Sequence, residues 1–355
     1  MITVLGWPVG TPDDLNPYVR LMYRRFVPPD VALLAYRPLM RHVPEADLFH
    51  VQWPEGIFEG RGGTIPLVAL AKALRVLATA DAVRRRGGAV VLTAHNLMPH
   101  GTLSAWQRRL YAWYVNALLG KVDLIIALTA KGLTLFRDHY PRAAPIAAEV
   151  IPHPHYRESY VSTISRPDAR AAFRLAPAAT VIGIIGSIRV SKGIPDAIAM
   201  FCRVAHADEM LLVAGECADE ALWRQVQDVA AQDPRIVIRR GRLSDAEMAA
   251  AFAAIDICLI HQQGTLNSGT AMMALSMDTP VVAPAVGSLP ELARTVGGQW
   301  MALAAIDADD ADYRAAFDAT AAARGRHCDA LDAFTPDELS KRMLESFTHL
   351  ARRTL

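Results

Sequence analysis

Within GIIGSIRVSKGIPDAI (183–198), Arg189 and Lys192 stand three residues apart, just beyond Gly186 and Ser187 at the end of an apolar run. A guanidinium offers a planar fork of donors and an ammonium a mobile point charge, and both suit phosphate. Glycine at such a turn lets a ligand approach the backbone closely. A second stretch, GTLNSGTAMMALSMDTPVVAP (264–284), runs from a hydroxyl-bearing loop into a helix with almost no charge. The first amides of a helix lack an intrahelical acceptor and carry partial positive charge, which makes such a start an anion site. An ordinary strand–loop–helix turn has the same composition. If both loops follow strands of one sheet, Arg189, Lys192 and the amides of 266–270 gather around one diphosphate. Metal chemistry has less support. DADD (307–310) holds a D-x-D, but in a late polar region and not after a strand. Cys202, Cys217, Cys258 and Cys328 show no CxxC spacing, so neither a zinc site nor a disulfide framework is expected.

The elements that must position these residues alternate along the whole chain. MITVLG (1–6), DLFHVQW (47–53), GAVVLTAHN (88–96) and VDLIIALT (122–129) read as strands, with helices predicted over 68–86 and 102–119. After AEVIPHPHY (148–156) a second series follows: TVIGIIGSI (180–188), EMLLVAGE (209–216), RIVIRRGRL (235–243), DICLIHQQ (256–263) and TPVVAPA (279–285), with helices over 219–232 and 244–254. Continuous apolar strands alternating with helices predict parallel sheets covered on both faces. A polar stretch with Pro152, Pro154 and Pro167 separates the series, giving two Rossmann-like α/β domains over 1–160 and 170–335. An amphipathic helix over 336–355 opens on FTPDEL. Ligands of such sheets collect at the carboxyl ends of strands. That places candidate loops at 6–18, 53–63, 95–104, 187–193, 215–217, 241–245, 261–270 and 285–291.

A chain of 355 residues with 52% apolar and 21% charged residues is globular and long enough for two cores. No apolar run reaches the length of a membrane span, and no basic-then-apolar leader begins it, so a cytoplasmic location is expected. Net charge is +1, but residues 1–160 hold 18 Lys and Arg against 12 Asp and Glu, leaving the remainder at −5. The basic half implies an anionic partner, or simply solvated arginine faces. LSAWQRRLYAWYVNALLGK (103–121) mixes Trp106, Tyr111, Trp113 and Tyr114 with Arg108, Arg109 and Lys121. It suits an anionic bilayer surface, and equally a core-facing aromatic stripe with a charged outer face. RRRGG (84–88) reads as a helix C-terminus with a glycine cap. No nucleic-acid partner is expected.

GSIRVSKGIPDAI, LLVAGE, RIVIRRGRLSDAEMAAAFAAIDICLIH and NSGTAMMALSMDTPVVAPAVGSLPEL resemble the nucleotide-sugar-binding domain of GT-B glycosyltransferases. With NPYVRLMY (16–23), DLFHVQWPE (47–55) and LTAHNLMPH (92–100), the chain is similar to bacterial exopolysaccharide glycosyltransferases of that fold, and within them to mannosyltransferases of xanthan- or acetan-type assembly. The resemblance implies two domains facing across a cleft, with the last helix returning to the first. It implies Arg189 and Lys192 at the donor diphosphate, Gly186 where the backbone passes the sugar nucleotide, and Asn267, Ser268, Gly269 and Thr270 at the distal phosphate. Arg240 to Leu243, with Arg242 and Leu243 foremost, match the stretch beside the nucleobase. Asn16, Tyr18 and Trp53 fall on the acceptor side. The donor implied is a nucleotide sugar, GDP-mannose, and the acceptor a lipid-diphosphate-linked oligosaccharide. No cofactor or metal is implied, and the basic N-terminal domain would meet the membrane peripherally.

One departure matters. Many retaining relatives carry two glutamates eight positions apart, and here those positions are Thr265 and Met273. The ribose contact must then come from elsewhere, with Glu291 and Glu216 as candidates, and an inverting enzyme is favoured. Inversion needs a general base for the acceptor hydroxyl. Strand-end candidates are Asp13, Asp14, Glu55, His95 and His100, of which Glu55 follows HVQW directly and His95 matches the family's histidine facing the donor sugar. Asp14 serves equally well as a helix N-cap. His50 reads as core, and His153 and His155 as packing beside prolines. A UDP-sugar donor, a sugar-nucleotide epimerase and a non-catalytic binding protein of the same fold stay open on these residues.

Overall fold

The computed structural model describes residues 1–9, 17–59, 65–99, 103–161, 163–262, 264–305 and 308–354. These form two compact units, Met1–Pro154 with Phe334–Leu355, and His155–Ala333.

In chain order the first unit contains β1 (Ile2–Trp7), α1 (Pro17–Met22), β2 (Val31–Ala35), β3 (Leu48–Val51), α2 (Pro66–Arg85), β4 (Ala89–Ala94), α3 (Ala105–Leu119), β5 (Leu124–Ala127), α4 (Ala130–His139) and β6 (Ala147–Val150). The second contains α5 (Arg166–Ala172), β7 (Thr180–Ile185), α6 (Ile194–Val204), β8 (Glu209–Gly215), α7 (Glu220–Ala230), β9 (Ile236–Arg240), α8 (Asp245–Ala254), β10 (Ile257–Leu259), α9 (Gly269–Ser276), β11 (Val281–Pro284), α10 (Leu289–Val296), β12 (Met301–Ala304) and α11 (Asp310–Ala319). The last helix, α12 (Pro336–Thr354), belongs to the first unit.

Each unit has one six-stranded sheet, ordered β2-β1-β3-β4-β5-β6 and β12-β11-β10-β7-β8-β9. Every pairing is parallel. Both orders turn back beside their first strand, between β1 and β3 and between β7 and β10. Such reversals splay the two flanking loops apart and open a crevice at the strand carboxyl ends. Sequence reading missed β2, β6, β12 and the short α5. VALLA and MALA are edge strands of four or five small or branched apolar residues, too short for their period to stand out.

The buried stripe of α12 recurs every four residues, Leu339, Met343, Phe347 and Ala351, and packs with Tyr18, Val19, Met22 and Phe26 over the sheet. Phe347 meets Phe26 edge-on at 5.4 Å and His50 at 5.0 Å. Full burial of such a side chain contributes on the order of 2 kcal/mol. Ser340 Oγ accepts from Arg25 N at 3.0 Å and donates to Met22 O at 2.8 Å, which fixes α12 against the end of α1. The second core joins Ile182, Ile184, Phe201, Leu211, Val213, Trp223 and Phe317. The stretch 155–160, read from sequence as part of the first domain, anchors in the second. Tyr156 N donates to Ser276 Oγ at 2.8 Å, and Arg157 reaches Asp278 at 3.2 Å and Cys328 O at 2.9 Å.

Candidate active site

In the second unit the loops after β7 and β10 flank the sheet reversal. Gly186 follows β7 with φ +106, a conformation that favours glycine, and a Cβ there would lie 3.8 Å from Lys192 Nζ and 4.0 Å from Thr270 Oγ1. An ammonium, a hydroxyl and a bare stretch of backbone thus converge on one point. Lys192 closes the 3-10 turn Val190–Lys192 and its amide donates to Arg189 O at 3.0 Å. Burial, and then the neighbouring positive charge of Arg189, push the Lys192 ammonium down to about 8. Arg189 itself is exposed. A partly desolvated cation beside a second cation is strained electrostatically until an anion arrives.

Ser268 caps α9, its hydroxyl accepting from Ala271 N at 3.2 Å, which leaves the amides of Gly269 and Thr270 in the first turn. Asn267 also links two loops. Its Oδ1 accepts from Ser288 Oγ at 3.3 Å, and Ser288 N donates to Leu266 O at 3.2 Å, so its side chain ties this loop to the one after β11. Gly287, at φ +58, makes that closeness feasible, because a Cβ there would strike Thr265 O at 1.7 Å. Thr265 donates its hydroxyl to Asn267 O, and Met273 is buried in α9. Both residues at the glutamate positions therefore serve the loop and the core.

The rim continues along β8 and β9. Ile188 N donates to Glu216 O at 2.7 Å and Gly241 N to Gly215 O at 3.0 Å, which sets exposed Arg242 and half-buried Leu243 next along it. Arg240 is engaged structurally, paired with Glu220, bonded to Cys217 O and lying over Trp223 at 5.5 Å. Glu291 lies in the first turn of α10, one turn past Ser288, and Glu216 is exposed. The acidic run predicted to be unsuited to metal is otherwise occupied. Asp309 caps α11 through Asp312 N at 2.9 Å and Asp310 pairs with Arg203 at 2.8 Å, while Asp307 lies outside the described residues. Among the described residues one His/Asp group, His327 with Asp329 and Asp332, has ligand-like spacing; it is exposed.

In the first unit the corresponding reversal lies between β1 and β3. Gln52 N donates to Trp7 O at 2.8 Å, carrying the pairing one residue beyond the strands. The chain then enters the 3-10 turn Pro54–Phe58, which presses Gly56 onto Trp7. Trp53 stacks on His95 at 4.2 Å and 13°, and Tyr18 meets both rings edge-on at 6.0 and 4.7 Å. His153 completes the group at 4.9 Å from Tyr18. Burial, with His153 and His50 nearby, holds His95 well below its ordinary pKa, so the ring is neutral at physiological pH. His50 is core as expected, bonded to Tyr23 Oη at 2.6 Å and Thr93 Oγ1 at 2.8 Å.

Glu55 is 7% exposed, and Asn96 Nδ2 donates to its Oε1 at 2.6 Å. Burial raises the carboxyl to about 7, against the opposing pull of the Asn96 bond. A carboxylate that titrates near neutrality is about half ionised at pH 7, and in that form it can accept a proton from a hydroxyl. Asn96 was missed by sequence reasoning. It follows His95 in TAHN, and only the fold shows that the residue after a β4 strand-end histidine faces the turn after β3. Asp13, Asp14, Asn16 and His100 lie outside the described residues.

Two parallel six-stranded sheets of this order, covered by helices, have the fold of GT-B glycosyltransferase structures. Residues 179–317 match the family model Glycosyl transferases group 1. The chain is 26% identical over 312 residues to the GDP-mannose:glycolipid 4-beta-D-mannosyltransferase of Xanthomonas campestris pv. campestris, covering 85% of this chain and 79% of that protein. Sucrose-phosphate synthase from Thermosynechococcus elongatus superposes with a TM-score of 0.70 at 15% identity, over 99% of both chains. Anabaena Alr3699/HepE in complex with UDP-glucose superposes with a TM-score of 0.69 at 14% identity, over 98% of this chain and 100% of that one. Among the described residues no helix is long and apolar enough to cross a membrane.

Proposed function

We propose that this enzyme transfers mannose from GDP-mannose, with inversion, to a lipid-diphosphate-linked oligosaccharide on the cytoplasmic side of the membrane, as a step of exopolysaccharide assembly. The observation that carries the reading is the meeting of Lys192, Thr270 and the bare backbone of Gly186 at the reversal of the second sheet. Lys192, Arg189 and the first amides of α9 neutralise the diphosphate as it departs, a service that grows as negative charge accumulates in the transition state. Positive side chains do this work, and no resident metal or cofactor is invoked. Arg242 and Leu243 lie beside the base, and Glu291 is the ribose candidate, since Thr265 and Met273 carry no carboxylate. Glu55 takes the acceptor hydroxyl proton, with Asn96 holding one carboxylate oxygen so that the other is presented. Trp53, half-buried and backed by His95, offers a flat face on which a sugar ring stacks, while Tyr18, expected on the acceptor side, is buried and supports the pair from within. The similarity to a GDP-mannose:glycolipid mannosyltransferase supports donor and acceptor alike.

Thermal unfolding with nucleotides tests the donor assignment. GDP at 100 times its Kd adds about 2.7 kcal/mol of stability, so it raises Tm measurably, and UDP at the same concentration raises it less. A larger rise with UDP overturns the guanine reading. No rise with either removes the diphosphate site itself.

A further inference from the structure

The first unit carries an apolar surface that neither its core nor the sites above use. On α2, Leu67 is 77% exposed, Leu70 36% and Leu74 50%, and Ile65 just ahead of the helix is 51% exposed. With exposed Ala71 and Ala78 they fall at helical spacing on a single face, and exposed Arg85, the last residue of the helix, ends the same stripe. A 20-residue helix of a water-facing layer ordinarily turns charge outward; here leucines occupy that side while Ala69, Ala73, Val76 and Ala80 fill the core side. α3 packs beside α2 and turns Arg109, Ala112 and Trp113 outward, with Trp113 45% exposed.

The sequence that carries this face is strongly basic. Residues 60–121 contain nine Lys and Arg against a single acidic residue, Asp81. Asp81 is already paired with Lys121 at 2.6 Å. Arg84 and Arg86 reach Asp123 and Glu45 at 3.4 Å, whereas Arg85, Arg108 and Arg109 have no carboxylate partner among the described residues. Leucines flanked by unpaired arginines and an exposed tryptophan match the depth profile of an anionic bilayer surface. The alkyl groups enter the acyl boundary, the indole sits at headgroup level and the guanidinium groups meet phosphates. A second copy of the chain is a poorer occupant, because a two-fold contact would set the same arginines against one another.

We infer that the α2 face Leu67–Leu70–Leu74, with Arg85, Arg109 and Trp113, docks the protein on an anionic phospholipid bilayer. This does not depend on the donor or acceptor assignment. The test is flotation of the full chain with phosphatidylcholine vesicles with and without 30 mol% phosphatidylglycerol. The inference expects binding to the anionic vesicles that weakens in high salt. It expects at least a tenfold loss of binding in Leu70→Glu/Leu74→Glu and in Arg85→Glu/Arg109→Glu, both variants keeping the wild-type thermal unfolding and its shift with nucleotide. Wild type that stays with the aqueous fraction overturns it, and so do folded variants that float as wild type does. A dimer that the leucine variant dissociates, with vesicle binding unchanged, assigns the face to self-association and equally overturns it.

Discussion

Lys192→Ala lowers kcat by roughly a hundred- to a thousandfold, the size of effect seen when one preorganised stabiliser of developing negative charge is removed. The position of the ammonium over Gly186 is what makes the loss catalytic and not merely a matter of affinity. The same residue costs the empty enzyme stability. Its pKa in the folded chain, about 8, lies below the ordinary 10.5. The stability it contributes is therefore present above the unfolded value and lost as pH falls through 8. At pH 7 the charged ammonium is a burden, so Lys192→Met unfolds at a higher temperature than wild type while transferring mannose poorly. Steady-state kinetics and a melting curve on one preparation check both halves. A variant that is slow and also less stable would mark Lys192 as a structural residue.

Glu55→Gln slows transfer by roughly a hundred- to ten-thousandfold, the range that positioned general bases supply. The pH profile of kcat/KM follows from the two shifted groups. The lower limb falls below about 7 as Glu55 takes a proton, and the upper limb falls above about 8 as Lys192 loses one. Glu55→Gln flattens the lower limb and Lys192→Arg moves the upper limb to higher pH. Stability runs the other way for the carboxyl, whose pKa in the folded chain is raised. Its contribution is full below about 4.5 and is lost as pH rises through 7. A shift of this size corresponds to on the order of 3 kcal/mol, so Glu55→Gln raises Tm at pH 8 and leaves it nearly unchanged at pH 4.5. Unchanged turnover in the variant removes Glu55 from the chemistry.

The parts of the site that sequence made legible are those whose residue types have few other uses at those places. A glycine, an arginine and a lysine after a buried strand, and hydroxyls before an uncharged helix, are the pattern expected of an anion site, and the fold brings Gly186, Lys192 and Thr270 together. Side chains that serve the loops were not legible. Asn267 and Ser288 tie two strand-end loops to each other, and Thr265 braces its own turn, because their polar groups are spent locally. Asn96 became visible only when β3 and β4 were neighbours, since its partner Glu55 is 41 residues away. The aromatic helix resolved into the bland reading for Tyr111 and Tyr114, which are buried, while Trp113 stays exposed. The leucine face of α2 was hidden for the opposite reason. Apolar residues of α2 fall on both of its sides, and only the fold shows which side is left to solvent.

The most direct test of the account is the anomeric configuration of the product. GDP-α-D-mannose carries an axial leaving group, and a single displacement assisted by Glu55 and Lys192 must place the acceptor on the opposite face. NMR of the product formed from carbon-13-labelled donor is expected to show the one-bond carbon–hydrogen coupling of a β-mannoside. An α-mannoside would contradict the assignment of Glu55 as the base in a single displacement.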